Sequence, residues 1–551
     1  MNQGTVARHS SPVSHFYDGK TILVTGSTGF IGKVLIEKLL YSCPDIKRIY
    51  LLIRGAQGKS PRQRLLDMIG EKPFMFRLKR EAIEQKLVAI DSDLSKSQLG
   101  LAPEDCARLA EEVSVVFHVA ASVKFEAPLD VNMRHNVFAT KELIEIASNF
   151  KQLACFIHVS TAYSNCQLLD IEEQVYKMQV PDDPMSAVVT KEMLDNRPNT
   201  YTYTKAMAEN VVDQYAGRMN VVIVRPSIVM SALKEPCEGW VDTINGPIGL
   251  SVLGALGILQ KIKVNSEVVF DLIPVDIVSN ALISIAWAAT ERGDKFNMTP
   301  DGIQAIDDDG SGQTQLDHQS NNNNKQPTGE SAELATTGCN TTKVFNLTTG
   351  SENPCSFYQY FSTGREEAYR KPSARCLRPL LTIPKQKGMN SVQYWIHKVF
   401  SHLLFAYLVD FLLGLLNQKR MVVKAVKRMH HANEMFDYFC SNQWSFKTDN
   451  VKRMRDLLSP ADRRTFSCDV RTINWDNYAR VGWFGCRRFI LKERDETIDY
   501  ARMRYRIVCF IYYATKIIFL LALTSSVSFC LGSKYAQWAL LAPMYAIVYL
   551  L

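Results

Sequence analysis

The chain has 551 residues, of which 46% are apolar and 22% charged, a composition that excludes a disordered or fibrous protein. At roughly 150 residues per domain, this length predicts several folded units. With 64 Lys and Arg against 56 Asp and Glu, the net charge is +8, and no compact basic run indicates a nucleic-acid binder. Residues 365–506 hold 28 basic and 14 acidic residues, which suits an anionic membrane surface, an anionic substrate or an ordinary solvated face.

Cysteine usage and the N-terminus indicate a cytosolic location for most of the chain. The 13 cysteines stand at irregular spacings without CxxC or CxH pairs, so they predict buried thiols in a reducing compartment and no metal site. Residues 1–16 lack the apolar core of a secretory signal, and we expect them to form a flexible N-terminus.

Short apolar runs alternate with helical patterns between Thr21 and Val229. The predicted helices include Ile31–Leu40 and Met133–Ile146, and the predicted strands are Thr21–Thr25, Arg48–Ile53, Leu87–Ile90, Val113–Val119, Ala154–Val159, Val221–Val224 and Val344–Leu347. Continuous Val, Ile and Leu runs separated by helices are typical of a parallel sheet covered on both faces. The sequence therefore predicts an α/β fold with a Rossmann-like, doubly wound parallel sheet.

Residues 301–340 interrupt this pattern. They contain the stretches DDDGSG and QSNNNNKQ and almost no apolar side chains. Because such a segment cannot bury enough apolar surface to offset the entropy lost on ordering, we predict a disordered insertion here.

The first apolar segment of the C-terminal third is His402–Leu416. It has 15 residues and includes Asp410. This length is short for a membrane span, and the pattern therefore favours a buried or interfacial helix.

Two further apolar segments, Ile517–Leu531 and Ala536–Leu551, end the chain. Extending the first back to Ile507 makes it long enough to cross a bilayer, although Lys516 lies inside it. Arginines precede this segment at positions 502, 504 and 506, so its N-terminal end is expected in the cytosol. We predict a membrane anchor over residues 507–551, as one span, two spans or a hairpin; the soluble alternative is a pair of core helices.

A glycine-rich turn, Thr25–Gly32 (TGSTGFIG), follows the first predicted strand and opens the first helix. In such a turn the first Gly permits the bend, the second lets the backbone approach a pyrophosphate and the third lets the helix pack on the sheet. The helix N-terminus offers free N–H groups and a positive dipole end to phosphates. The residues predicted to bind a dinucleotide are Gly26, Ser27, Thr28, Gly29, Phe30, Ile31 and Gly32.

The TGxxGxxG spacing of this turn resembles the extended short-chain dehydrogenase/reductase superfamily. After the second predicted strand comes Arg54, where an acidic residue would bind a free ribose 2′-hydroxyl. A guanidinium is well suited to bind a 2′-phosphate, and Lys59 and Arg62 could contribute further positive charge. Arg54 therefore favours NADPH over NADH. The alternative is that Arg54 is only a solvated residue at the end of a strand. The resemblance implies further cofactor contacts from Asp93, Leu94, Ala120 and Pro226.

Tyr201 and Lys205 form a YxxxK motif whose i, i+4 spacing puts both side chains on one face of a helix. The ordinary pKa of tyrosine is about 10, and a neighbouring ammonium would lower it by stabilising the phenolate. We expect Tyr201 to act as the acid, and Lys205 to support it and to hold the nicotinamide ribose. Tyr203 offers a competing YxK reading, but that spacing would not share a face with Lys205.

A hydroxyl group is expected beside this pair, at the end of the predicted strand that stops at Val159. Thr161 is predicted to hydrogen-bond the substrate carbonyl, with Ser160 as the alternative; both hydroxyls would otherwise satisfy only local backbone. Asn136 lies in a segment that resembles the NVxGT helix of the superfamily, with Ala139 in place of the usual Gly.

Longer segments are similar to alcohol-forming fatty acyl-CoA reductases. They are Ser122–Leu129 (SVKFEAPL), His158–Asn165 (HVSTAYSN), Asn199–Ala208 (NTYTYTKAMA), Glu235–Gly249, Asp271–Asp276, Phe436–Asn450 and Asn474–Glu493. Apart from the insertion and a departure at Val481–Arg487, the resemblance extends from Tyr17 to about Glu493. It implies an NADPH-dependent enzyme that reduces a long- or very-long-chain fatty acyl-CoA to a primary alcohol through an aldehyde, releasing coenzyme A.

The resemblance also implies a division of the chain. A reductase domain would cover residues 17–300 and end, after the 301–340 insertion, in residues 341–390. A mainly helical C-terminal domain would cover residues 391–500, ahead of the anchor at 507–551. The expected partners are a long-chain acyl-CoA and membrane lipid, without nucleic acid or metal, and the catalytic domain would face the cytosol from an intracellular membrane.

Two other classes of function are open on the residues alone. Another extended reductase, acting on a steroid or a nucleotide sugar, would share the glycine turn and the YxxxK motif but lack the C-terminal domain. A membrane scaffold that binds NADPH without turnover would keep only the cofactor site.

Overall fold

The computed structural model of the chain describes residues 11–56, 58–71, 73–125, 127–178, 194, 196–296, 342–383 and 391–531. The predicted disordered insertion (301–340) and the terminal apolar segment (536–551) lie outside these ranges, so both stay predictions.

A seven-stranded parallel sheet organises the reductase part of the chain. The strands are β1 (Thr21–Thr25), β2 (Arg48–Ile53), β3 (Leu87–Asp91), β4 (Val113–His118), β5 (Cys155–Val159), β6 (Asp170–Ile171), β7 (Val221–Pro226), β8 (Ile228–Met230), β9 (Leu272–Pro274), β10 (Lys343–Leu347) and β11 (Ser445–Phe446). The sheet order is β10–β7–β5–β4–β1–β2–β3, while β6 pairs with β11 and β8 with β9. Because the strand order reverses between β1 and β4, their carboxyl ends frame the crevice in which doubly wound folds bind ligands.

Helices cover both faces of this sheet, and the predicted doubly wound α/β fold is confirmed. They are α1 (Pro12–Phe16), α2 (Phe30–Ser42), α3 (Pro61–Gly70), α4 (Arg80–Lys86), α5 (Pro103–Glu112), α6 (Leu129–Asn132), α7 (Ala139–Ala147), α8 (Thr200–Asp213), α9 (Gly246–Ala255), α10 (Val275–Glu291), α11 (Phe357–Arg370), α12 (Ser391–His397), α13 (Leu404–Leu415), α14 (Val422–Ser441), α15 (Asp449–Leu457), α16 (Pro460–Thr465), α17 (Trp475–Gly485) and α18 (Ile498–Leu531). Helices α2 and α10 share one core, and α7 and α8 share the other. Strands β1, β4 and β5 are buried along their whole length, as their unbroken apolar runs predicted.

The prediction of a flexible N-terminus over residues 1–16 is wrong for residues 12–16, and residues 1–10 lie outside the described ranges. Residues 12–16 form α1, whose N-cap is Ser11 and whose Val13 is fully buried. The Ser11 hydroxyl donates a 2.5 Å hydrogen bond to Asp462 in the C-terminal part of the chain. The prediction failed there because a helix of five residues is too short to show a helical repeat of apolar side chains in the sequence.

The apolar segment at His402–Leu416 belongs to a longer helix than predicted. α12, a π-helical turn and α13 run without a break over Ser391–Leu415, and this helix of 25 residues is long and apolar enough to cross a membrane. The prediction of a short segment is wrong because the helix continues upstream through mixed polar and aromatic residues. Asp410 does not break it, because its carboxylate accepts the N–H groups of Met421, Val422 and Val423 at the start of α14.

A buried ion pair joins α8 to the sheet. Arg225, in β7, is fully buried and donates to both oxygens of Glu209, from Nε at 2.9 Å and from Nη2 at 2.6 Å. It also donates to the carbonyl oxygens of Glu172 and Gln174. Glu209 accepts a further 2.5 Å hydrogen bond from Ser160, just after β5. This pair therefore fixes α8 against β5 and β7.

Removing one partner of the Glu209–Arg225 pair should strongly destabilise the protein. Glu209→Leu leaves the Arg225 charge buried without its counter-ion, and we expect the free energy of unfolding to fall by about 3–5 kcal/mol. Urea unfolding of the detergent-solubilised protein measures this change. Asp67→Leu is the matched control, because it breaks the exposed Lys59–Asp67 pair and should have little effect. Equal losses in the two variants would contradict the anchoring role.

Candidate functional site

The glycine-rich turn joins β1 to α2 at the switch point of the sheet. Gly26 has a φ of +70°, and a Cβ there would lie 2.7 Å from the backbone nitrogen of Ala120. A Cβ on Gly32 would lie 2.3 Å from the Gly26 carbonyl oxygen. Both positions therefore require glycine, because the turn is pressed between the loop after β4 and the first turn of α2.

The rest of the turn leaves polar groups for a ligand. Gly29 is the N-cap of α2 and carries no side-chain acceptor, so the N–H groups at this helix end stay available to a phosphate. The Ser27 hydroxyl is buried and has no hydrogen-bond partner among the described residues. Thr28 and Ile31 are half-buried, and Phe30 stacks on Trp240 at 5.4 Å between ring centroids.

His118 ties this turn to the neighbouring helix. Thr25, the last residue of β1, accepts a 3.2 Å bond from the Ala120 N–H and contacts His118 Nδ1 at 2.7 Å. His118 Nε2 lies 2.9 Å from the Thr140 hydroxyl, which donates to the Asn136 carbonyl oxygen. Burial and the nearby Lys205 lower the pKa of His118 to about 3, so the ring is neutral and its two nitrogens play different roles.

Asn136 occupies a π-helical turn over Met133–Phe138, between α6 and α7. Its amide accepts from the Ser122 N–H at 2.7 Å and donates to the Thr204 hydroxyl at 3.0 Å. The loop after β4 is thereby joined to α8. Widened helical turns of this kind often occur at functional sites.

Arg54 follows β2 and is exposed, with its guanidinium 4.0 Å from the Asp93 carboxylate. Asp93 in turn accepts from the hydroxyl of Ser95 at 2.7 Å. Leu94, beside it, is half-buried. The structure thus brings together Arg54, Asp93 and Leu94 at the carboxyl ends of β2 and β3. Pro226 lies elsewhere, at the end of β7.

Tyr201 and Thr161 face each other at the carboxyl end of β5. Burial raises the pKa of Tyr201 to about 12, and the nearby Thr161 hydroxyl opposes this shift. Thr161 is also the N-cap of the following helical turn, accepting from Tyr163 N–H at 3.3 Å. Tyr203, the competing tyrosine, instead packs in the apolar core with Met207.

Lys205 is buried, and its ammonium bonds groups at the end of β5. Its Nζ donates to the Val159 carbonyl oxygen at 2.7 Å and lies 3.3 Å from His158 Nε2. Burial lowers the pKa of Lys205 to about 7, while Glu209 acts in the opposite direction. The expectation that this ammonium lowers the pKa of Tyr201 is not met, because burial raises that pKa and two of the three lysine donors go to Val159 and His158.

The two candidate hydroxyls after β5 have different partners. The Ser160 hydroxyl donates a hydrogen bond to Glu209, a member of the buried ion pair, whereas Thr161 lies next to Tyr201. The geometry therefore favours Thr161 as the group that reaches a substrate, and it gives Ser160 a structural partner.

An aromatic cluster from the C-terminal part covers this site, and sequence reasoning missed it. Phe125 lies 5.4 Å from the Tyr201 ring and packs against Phe436 and Phe439 of α14, at 5.8 and 6.1 Å between centroids. Tyr163 contacts Phe439 from the other side at 5.2 Å. The signal was present in the motifs SVKFEAPL and FDYFCSNQW, but nothing local indicated that these two segments meet.

These observations fit a nicotinamide dinucleotide. The glycine turn is the cradle that a Cβ would fill, the buried Ser27 hydroxyl is unpartnered among the described residues, and the start of α2 suits a pyrophosphate. Arg54 and Asp93 lie after β2 and β3, and Thr161 lies after β5 beside Tyr201, so all four are at the same edge of the parallel sheet as the glycine turn.

Comparisons with known proteins agree with this geometry. Two family models described as male sterility protein match residues 24–282, as an NAD-binding domain, and residues 401–493, as the domain named Sterile. Fatty acyl-CoA reductase 1 from Xenopus laevis is 35% identical over 89% of this chain and 88% of its own length. Fatty acyl-CoA reductase 2 from Mus musculus is 33% identical over 91% of each chain.

Solved structures support the fold. The terminal reductase domain of the myxalamid biosynthetic pathway has a TM-score of 0.53 at 17% identity, covering 85% of this chain and 91% of that one. The reductase domain of a nonribosomal peptide synthetase from Mycobacterium tuberculosis has a TM-score of 0.53 at 16% identity, covering 88% and 96%. With a Rossmann-like sheet, a dinucleotide cradle and at least one-third identity over about nine-tenths of its length, the chain belongs to the fatty acyl-CoA reductase family of oxidoreductases.

Proposed function

We propose that the protein reduces long- or very-long-chain fatty acyl-CoA to a primary alcohol with NADPH, through an aldehyde and with release of coenzyme A. The observation that carries this proposal is that the neighbouring Tyr201 and Thr161 side chains lie at the same edge of the sheet as the dinucleotide cradle. The names of the similar proteins, fatty acyl-CoA reductases, supply the substrate class.

Tyr201 and Thr161 would bind the thioester oxygen and stabilise the negative charge that develops on it. The cofactor, when bound, supplies hydride to the carbonyl carbon. Tyr201 gives its proton to the oxygen to form a hemithioacetal. As the C–S bond of the hemithioacetal breaks, its hydroxyl returns the proton to the Tyr201 phenolate, coenzyme A leaves as a thiolate that takes a proton from water, and an aldehyde is left. A second reduction in the same site, with Tyr201 again the acid, gives the alcohol, so each acyl chain consumes two reduced cofactors.

Lys205 would support this chemistry from its position next to the end of β5. Two of its donors go to the Val159 carbonyl oxygen and the His158 ring, which leaves the third for the nicotinamide ribose or the Tyr201 oxygen. The neutral rings of His158 and His118 add no competing positive charge, because burial lowers the pKa of both.

The preference for NADPH rests on Arg54. Lys59, a second candidate, already pairs with Asp67 at 2.7 Å, so Arg54 is the better placed cation for a 2′-phosphate. Its Asp93 neighbour, at 4.0 Å, orients the guanidinium without neutralising it fully, since both groups face solvent.

We also propose that the protein sits on an intracellular membrane with its reductase part in the cytosol. Apolar side chains of Ser391–Leu415 and of α18 are exposed, Phe411 by 59% and Phe510 by 76%, for example. Arginines at 502, 504 and 506 precede the apolar half of α18, which favours a cytosolic start. A membrane seat suits the substrate, because an acyl chain in water costs about 0.8 kcal/mol per methylene group.

Product analysis tests the function directly. Membranes carrying the protein are incubated with NADPH and acyl-CoAs of graded length, with a steroid and a nucleotide sugar in parallel. We expect primary alcohols and two NADPH consumed per alcohol. Turnover of the steroid or the sugar alone would indicate another reductase, and binding of NADPH without any turnover would indicate a scaffold.

Replacing the proposed acid should separate catalysis from binding. Tyr201→Phe should abolish nearly all turnover, because the phenolic proton is lost, while NADPH affinity measured by fluorescence stays close to that of the unmodified protein. Tyr203→Phe is the matched control and should keep its activity, because this ring lies in the core. Lys205→Ala should impair both readouts. Full activity in Tyr201→Phe would assign the acid role elsewhere.

Reversing the charge at Arg54 should change cofactor preference. Arg54→Asp removes a charge-assisted contact and adds repulsion, so the ratio of kcat/KM with NADPH to that with NADH should fall at least about tenfold. Arg80→Asp, on another exposed surface, is the control and should leave the ratio unchanged. Equal use of the two cofactors by the unmodified protein would refute the NADPH proposal.

Membrane attachment should depend on both apolar helices. Truncation after Tyr505 should reduce retention after carbonate extraction but leave binding to vesicles through Ser391–Leu415. Adding Leu408→Glu and Phe411→Glu, both at exposed positions, should abolish that remaining binding. Complete release of the full-length protein by carbonate would refute integral anchoring. Protease protection of the glycine turn on intact vesicles would refute the cytosolic orientation.

A further inference from the structure

An apolar cavity lies between α9, α11 and α17, outside the site described above. Its walls include Ile248 and Leu250 of α9, Phe361 and Ala368 of α11, and Trp483 of α17. Two polar side chains of the lining bond to backbone: the Ser251 hydroxyl donates to the Pro247 carbonyl oxygen, and Arg365 Nε donates to that of Leu381. The Ser231 hydroxyl, also in the lining, is buried and has no hydrogen-bond partner among the described residues. Most of the other lining residues are apolar.

Two elements connect this cavity with the Tyr201 site. β8 continues from the carboxyl end of β7, and its last residue, Met230, lines the cavity. α9 begins at Gly246, where a Cβ would lie 3.0 Å from Phe436 of the aromatic cluster over Tyr201. At about 1.5 Å per residue, the helix rises about 12 Å between Gly246 and the cavity wall at Gly254. That separation is shorter than an extended long acyl chain.

The outer rim of the cavity meets both membrane-facing helices. The Leu380 N–H, at the rim, donates to the Tyr505 hydroxyl of α18 at 3.4 Å. Arg378 Nη1, two residues away, donates to the Ser401 carbonyl oxygen of the Ser391–Leu415 helix at 2.7 Å. The cavity thus lies between the reacting centre and the surface at which a fatty chain would leave the bilayer.

We infer that this cavity holds the distal methylene groups of the substrate acyl chain and sets the preferred chain length, an inference that rests on the proposed function. The occupant is a hydrocarbon chain rather than the nucleotide part of coenzyme A, because most of the described lining residues are apolar and Arg365 is the single cation among them. Each methylene group buried there contributes favourably to binding, so the gain grows with chain length until the cavity is full.

Gly364 of α11 offers a way to fill the cavity. It lines the empty space, and a Cβ there would meet only the Ala479 carbonyl oxygen, at an ordinary 3.8 Å. A methyl group can therefore be added there at ordinary van der Waals distance from that backbone atom. Gly364→Leu removes room for the chain, and Gly364→Ala is the matched control, because it makes the same backbone change and adds a single methyl group.

The experiment compares the two variants as detergent-solubilised full-length protein. In Gly364→Leu, kcat/KM should fall at least about tenfold for an acyl-CoA of about 18 carbons and stay within about twofold for one of about 8 carbons. Gly364→Ala should resemble the unmodified protein at both lengths. Equal loss at both lengths, or no loss at the longer one, would overturn the inference. Ser251→Leu, on the opposite wall, repeats the test, and NADPH affinity reports whether each variant is folded.

A binding measurement separates this inference from the proposed function. A fluorescent polyene fatty acid of about 18 carbons is titrated into the NADPH complex, and Gly364→Leu should weaken its binding about tenfold while Gly364→Ala does not. If the unmodified protein reduces no acyl-CoA yet shows this pattern, the proposed function fails and the chain-binding cavity stands. If turnover occurs but Gly364→Leu leaves probe binding unchanged, the cavity assignment fails.

Discussion

The Glu209–Arg225 ion pair positions helix α8, and the geometry of the whole site follows from where that helix lies. Tyr201, Lys205 and Glu209 stand at successive i+4 positions, so they form one stripe along the buried face of α8. Glu209 bonds Arg225 of β7 and Ser160 after β5, Lys205 bonds Val159 at the end of β5, and Tyr201 meets Thr161 beyond it. A buried ion pair contributes little net stability but strongly penalises its own disruption, so its main effect here is to specify one position for the helix.

Burial explains the electrostatics around this stripe. It favours neutral forms, raising the pKa of Tyr201 and lowering those of Lys205 and His158. Near neutral pH, Lys205 and His158 together therefore carry much less positive charge than a lysine beside a histidine would carry in water. A neutral surrounding lets charge that develops on a substrate oxygen interact strongly with the few donors aimed at it.

The C-terminal helices complete the reductase part rather than forming an independent unit. α17 packs so closely on the loop after β8 that a Cβ on Gly485 would lie 1.8 Å from the Gly239 carbonyl oxygen. Phe436 and Phe439 of α14 cover the Tyr201 site, and one continuous core includes residues of both parts. The exposed apolar side chains of Ser391–Leu415 and of α18 are consistent with a membrane-associated enzyme.

Local pattern was enough to predict the strands, the glycine turn and the position of Tyr201 and Lys205 on one helix, because each depends on neighbours within one element: apolar continuity, a tight bend, or i, i+4 spacing. The family was likewise readable from motifs along the chain. Four features depend on contacts between distant segments and appear only in the fold. They are the different partners of Ser160 and Thr161, the bonds from Lys205 to the end of β5, the aromatic cluster that α14 completes, and the extension of the apolar helix back to Ser391. These features are determined by contacts between side chains that are far apart in the sequence. Spacing along the chain does not reveal which distant residue a buried side chain will contact.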